Sequence, residues 1–209
     1  SQLAVFEFAM DDTLTADGVT LYLARLVAQG SVKEPDELTW NFSDGSTANG
    51  RNIWRVYFAP GDREISLKSH PELPPFRRRI SVWTPPIPTS AHSLEKAVSI
   101  LSSMDLTKLS RSNLNEIYHF LRICEQPTRW PLMEKLCRLL LDRDDLDVRY
   151  RAMLHTSLMR AMSHQGRAAE ALGGLDHALS HAQQVKSLTA LVLLSAANVN
   201  RDALRNFSE

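Results

Sequence analysis

Several places in the sequence hold residue types that do chemistry. Near its start, the apolar run of "LAVFEFAMDDTLTADG" meets Asp11, Asp12 and Thr13. Carboxylates at the end of a strand are groups that attack phosphorus or move protons. Further on, "GSTANGRN" spaces Gly45 and Gly50 as a phosphate-binding loop does. His177 and His181 stand one helical turn apart, a spacing at which two imidazoles can share a metal ion. Arg77, Arg78 and Arg79 are consecutive in "PFRRRISVW", flanked by Phe76 and Trp83. Guanidinium groups pair with phosphate and aromatic rings stack on bases.

The neighbours of each group limit what it can do. The opening resembles the first motif of haloacid dehalogenase-type phosphatases, Asp-x-Asp-x-Thr at the end of an apolar strand. In that alignment Asp11 takes the acid/base position and Thr13 the threonine position, but Ala9 stands where the nucleophile belongs. A methyl group cannot attack phosphorus, so covalent catalysis has no starting point. The stretch reads instead as a strand entering a turn, with Asp11, Asp12, Thr13 and Asp17-Gly18 as turn formers. In "GSTANGRN", Arg51 and Asn52 replace the Lys and Ser/Thr of a phosphate loop. The segment also leads into "IWRVYF", a strand pattern rather than a helix, so a hairpin loop is expected, with Asp44-Gly45 and Asn49-Gly50 as turn signals. The histidine pair lacks the glutamate of the helical zinc motif and reads as a solvated helix face. The sequence thus predicts no enzyme, no cofactor and no metal site.

The arginine cluster remains as a candidate nucleic-acid surface. It would comprise Arg77, Arg78 and Arg79, joined by Arg51 and Arg55 if their strands are neighbours. The alternative is an edge strand protected by charge. Lys+Arg (24) balance Asp+Glu (24) over 209 residues, so no global charge draws the chain to nucleic acid or an anionic membrane.

Two kinds of element must position these groups. Residues 1–84 form a small β-rich module. Its strands are expected at "LAVFEF", "LTWNFS", "NIWRVYF", "REISLK" and "RRRISVW". One helix is expected among them, at "GVTLYLARLVAQG", where Leu23, Leu26 and Val27 sit at helical spacing before Gly30. Residues 85–91 read as a linker, because Pro85, Pro86 and Pro88 cannot donate ladder hydrogen bonds. Residues 92–209 are expected to be all-helical, a bundle or a short helix array. Ser93 is a candidate N-cap, and Pro131 suits the first turn of a helix. The stretch "GRAAEALGGLDHAL" is similar in its small-residue spacing to the second helix of a tetratricopeptide unit, without a second copy at a fixed period. Gly173-Gly174 predicts either a break there or a close backbone neighbour. The fold class is therefore α+β.

The last apolar segment points outward to other molecules. In "SLTALVLLSAANV", apolar residues including Leu188, Leu191 and Leu194 cover nearly the whole helix circumference, a pattern expected of a helix buried on all sides. It is far shorter than the roughly 20 residues needed to span a bilayer. These leucines are the candidate interface, for a partner protein or for self-association. The expected function is a non-enzymatic protein-interaction or assembly subunit, in one reading a fragment of a longer chain or complex. The alternative is a structural protein, for instance viral, that binds RNA or single-stranded nucleic acid. No membrane insertion is expected. Cys124 and Cys137 fall in amphipathic stretches and read as buried reduced thiols, which suits an intracellular setting, cytoplasmic or nuclear.

Overall fold

A computed structural model describes residues 4–30, 38–84, 93–124, 129–183 and 186–206. The chain is α+β, with antiparallel sheets in its N-terminal part and helices after them. It divides into two compact units, Ser1–Cys124 and Glu125–Glu209. The expected linker 85–91 lies outside the described residues. The first two helices belong to the same compact unit as the sheets.

In the first unit, β1 (Val5–Ala16), β2 (Val19–Gln29) and β5 (Asn52–Tyr57) form one sheet in the order β1-β2-β5. The second sheet has the order β4-β3-β6-β7, from β3 (Thr39–Phe42), β4 (Thr47–Asn49), β6 (Gly61–Lys68) and β7 (Phe76–Val82). The two sheets share one core. Phe6 meets Trp40 and Phe76 edge-on, at centroid distances of 5.2 and 5.5 Å. Trp40 is fully buried, and its indole N–H donates to the Gly50 carbonyl at 2.7 Å. The outer face of the β1-β2-β5 sheet is covered by α1 (Ser93–Ser103) and α2 (Arg111–Ile123).

That covering explains a correction. The segment expected to be a helix at residues 18–30 is the central strand β2, paired on both sides. Tyr22, Ala24, Leu26 and Ala28 enter the core between the sheets, while Leu21 and Leu23 are buried on the opposite face. A strand buried on both faces reads as a continuous apolar run, so Leu23 and Leu26 mimic helical spacing while pointing to opposite sides. The turn is also narrower than expected. It is the pair Asp17-Gly18, both with positive φ (47° and 78°), the two-residue hairpin geometry that favours Asp-Gly. Asp11, Asp12 and Thr13 lie within β1, around a bulge between Met10 and Asp12.

The second unit holds α3 (Trp130–Leu141), α4 (Val148–Ser163), α5 (Ala168–Leu172), α6 (Leu175–Ala182) and α7 (Lys186–Asn206). Pro131 sits in the first turn of α3, and Asp147 caps α4 by accepting from the Tyr150 N–H at 2.7 Å. The expected single helix over Gly173-Gly174 is broken there into α5 and α6. α4 is the hub and packs against α3, α5, α6 and α7. Fully buried alanines, among them Ala168, Ala171, Ala178 and Ala182, let the helices approach closely around Met159 and Met162. A half-exposed polar cluster ties α3 to the turn after α4. Glu134 accepts from Arg138 at 2.7 Å, from Arg167 at 2.8 Å and from Gln165 at 2.9 Å. Burial pushes the Glu134 carboxyl up, but these hydrogen bonds outweigh it and hold the group below the usual carboxylate range. Cys137 is fully buried as expected, whereas Cys124, at the end of α2, is only partly covered.

Candidate functional site

The acidic opening is an anchor for a helix. The bulge places one extra residue in β1, so the strand changes face: Met10 lies opposite Ala24, whereas Asp12 lies opposite Leu23. Asp12 thereby leaves the core between the sheets and reaches the start of α1, where the Ser93 hydroxyl donates to its carboxylate. Ser93 opens α1 as that donor. Asp11 pairs with Lys96 at 2.6 Å, and the same ammonium lies 3.8 Å from the centre of the Trp54 ring. Both carboxylates are thus engaged in fixing α1 to the sheet. The "GSTANGRN" segment contains β4, and the chain then crosses from one sheet to the other at Gly50, whose φ is 116°. Asp44 closes its hairpin by accepting from the Ser46 N–H and hydroxyl at 2.9 and 2.6 Å.

The arginines separate into different environments. Arg77, Arg78 and Arg79 lie on β7, an edge strand, and all three are exposed. Arg77 pairs with Glu64 at 3.5 Å, and Arg78 donates to the Phe6 carbonyl at 3.1 Å, bridging to the other sheet. Arg51 is exposed and donates to the Gly30 carbonyl at 3.2 Å. Arg55 does not join them at the surface. It lies opposite Ala24 on β5, so its side chain enters the space between the sheets, where it is 5% exposed. Its guanidinium is ion-paired with Asp44 and stacked over Phe42, 3.7 Å from the ring centre. His177 stacks on His155 of α4 at 6.0 Å, and the side chain of His181 lies outside the described residues.

Around Arg55 the sheets and the start of α2 line a partly open cavity of about 160 Å³. Tyr57 lines it and is 8% exposed. The Arg55 Nε–H and the Tyr57 hydroxyl are buried there with no hydrogen-bond partner. Burial lowers the proton affinity of Arg55, which Asp44 only partly offsets, and raises that of the Tyr57 phenol.

On α7, Val192, Ala196 and Val199 are buried in the helical core, but Leu191, Leu193 and Leu194 are 46%, 49% and 62% exposed. The helix is therefore covered on one face within the described residues, not on all sides as its composition suggested. The side chain of Leu188 lies outside the described residues. Leu191 and Leu194 border a groove of about 370 Å³ between α7 and the end of α4. Arg160, His164 and Arg201 also line it, and among the described lining residues there is no Asp or Glu. Ser163 lies at the same groove, with its hydroxyl buried and without a hydrogen-bond partner. His164 is held by a parallel stack on Trp130, at 4.1 Å between centroids. Sequence reasoning found the leucines but missed this basic side. Its trace was Arg160 and His164, one turn apart at the end of α4.

No protein-family model, curated protein or solved structure matches the chain. Among the described residues, no helix is long and apolar enough to cross a membrane. No group of three or more His, Cys, Asp or Glu that could hold a metal ion occurs among them.

Proposed function

We propose that the chain is a non-enzymatic protein-interaction or assembly subunit that acts in a cytoplasmic or nuclear compartment. In this reading α3–α7 form a short helix array whose last helix offers its outer face to a partner. The observation that carries it is the row of exposed leucines on α7, beside a groove rimmed by Arg160 and Arg201. Contiguous apolar exposure of this kind marks interaction sites. α4 already collects helices on its other sides, so the natural occupant is one more helix. Arg160 at the groove, with no carboxylate among the described lining residues, selects an amphipathic partner helix that carries acidic residues beside its leucines. The buried Cys137 thiol suits a reducing compartment.

The test is a titration with two amphipathic helical peptides, one of Leu and Glu and one of Leu and Lys. The Glu peptide should bind and the Lys peptide should not. Equal binding, or none, would remove the charge argument. Self-association seen by light scattering and abolished by Leu191→Asp with Leu194→Asp would assign the face to a second copy and overturn the choice of an acidic partner.

A further inference from the structure

The cavity around Arg55 is a second, chemically different site. Its buried donors are an Arg55 Nε–H and a Tyr57 O–H, both lining the same space and both without a protein acceptor. A buried donor left unsatisfied is costly, and native interiors seldom keep two of them side by side. Replacing Tyr57 by Phe, or turning Arg55 outward, would have removed the cost. The arrangement holds these donors in place instead: Asp44 fixes one end of the guanidinium, and the Phe42 ring supports its face.

The charges around the cavity define what can fill it. Arg55 is balanced by Asp44, and Glu64 is balanced by Arg77. Arg63 also lines the cavity and donates to the backbone carbonyls of Asp62 and Ala59, at 2.9 and 3.2 Å, with no carboxylate paired to it among the described residues. The lining thus holds two cations and two carboxylates, but Glu64 is engaged from outside by Arg77, so Arg63 is the lining cation that no carboxylate of the described residues pairs. The remaining wall is apolar, with Val56, Ile65 and Leu109. A cavity of about 150 Å³ is large enough for a benzene-sized body.

We infer that this cavity binds a small monocarboxylate whose acid group accepts from Arg55 and Tyr57 and whose short apolar body rests on Val56, Ile65 and Leu109. The anion supplies the missing acceptors beside Arg63, whose charge no carboxylate of the described residues pairs. Arginine is suited to this because it carries several N–H donors, so that Nε–H can serve a carboxylate while Nη2 is held by Asp44.

The experiment is an NMR titration of the intact chain with sodium benzoate, using neutral benzamide as the control. The Arg55 Nε–H resonance should shift with benzoate in a saturable way, with at least about tenfold weaker binding of benzamide. Arg55→Gln also breaks the pair with Asp44 and so tests folding together with binding. Tyr57→Phe is the deciding variant, since it removes one hydroxyl and no volume. It should lower benzoate affinity about tenfold while leaving the spectrum of the folded chain otherwise intact. Absence of a saturable shift, equal affinity for benzoate and benzamide, or unchanged benzoate affinity in Tyr57→Phe would each overturn the assignment.

Discussion

Between the two sheets of the first unit, the core is made of Phe6, Trp40, Leu26, Ile65 and Leu67, large side chains that fill a space held open by two backbones. Around α4, the core is made of alanines and methionines, which bring helices together rather than filling a gap. Sheets pack about 10 Å apart and need bulky side chains between them. Helices that present alanine can approach closely and leave their larger residues for other faces. The contrast shows where apolar surface is left over. Among the described residues of the first unit, the exposed large apolar side chains are Val5, Trp83 and Ile123, scattered along its sequence. The second unit leaves three leucines exposed within four residues of one helix, Leu191, Leu193 and Leu194.

The largest break in this comparison is Trp40→Ala. It opens a cavity in a core that cannot collapse and strips the Gly50 carbonyl of its donor. The expected cost is about 3–5 kcal/mol, read from chemical denaturation. In the helical unit, where the core side chains are small, a polar cluster is the corresponding weak point. Glu134→Ala leaves Arg138, Arg167 and Gln165 without their shared acceptor and should cost about 1–3 kcal/mol at neutral pH. Because the folded-state carboxyl titrates below its unfolded value, its contribution is present above the unfolded pKa. It is lost as pH falls through the folded one. Denaturation of both proteins should therefore converge as the pH drops below about 4. A difference that persists in acid would mean that packing, not the charge, carries the effect.

Most of the architecture was legible in the sequence. The strands β1, β3, β5, β6 and β7 and the helices α1–α4 follow from alternation, helical periodicity and caps. The misreadings share one physical cause, that which face a residue takes is decided by its neighbours. β2 is apolar on both sides because helices cover one and a sheet the other. β4 is three residues long and carries no pattern of its own. The change of face at Asp12 depends on a bulge, and the inward turn of Arg55 depends on its register with Ala24. Neither register is written in local composition. On α7 the sequence displayed every apolar residue but not which of them α4 and α6 would cover. That division into covered and uncovered faces is the whole of the candidate interface.

The central claim, that the outer face of α7 exists for a partner, is tested most directly by Leu191→Asp with Leu194→Asp. Both side chains are exposed, so the substitutions should change folding stability by no more than about 0.5 kcal/mol and leave the helical circular dichroism intact. The same variant should lose binding to the Leu/Glu peptide. A variant that unfolds, or loses several kcal/mol of stability, would show these leucines to be core and contradict the account. A folded variant that binds the peptide as tightly as the parent would contradict it equally.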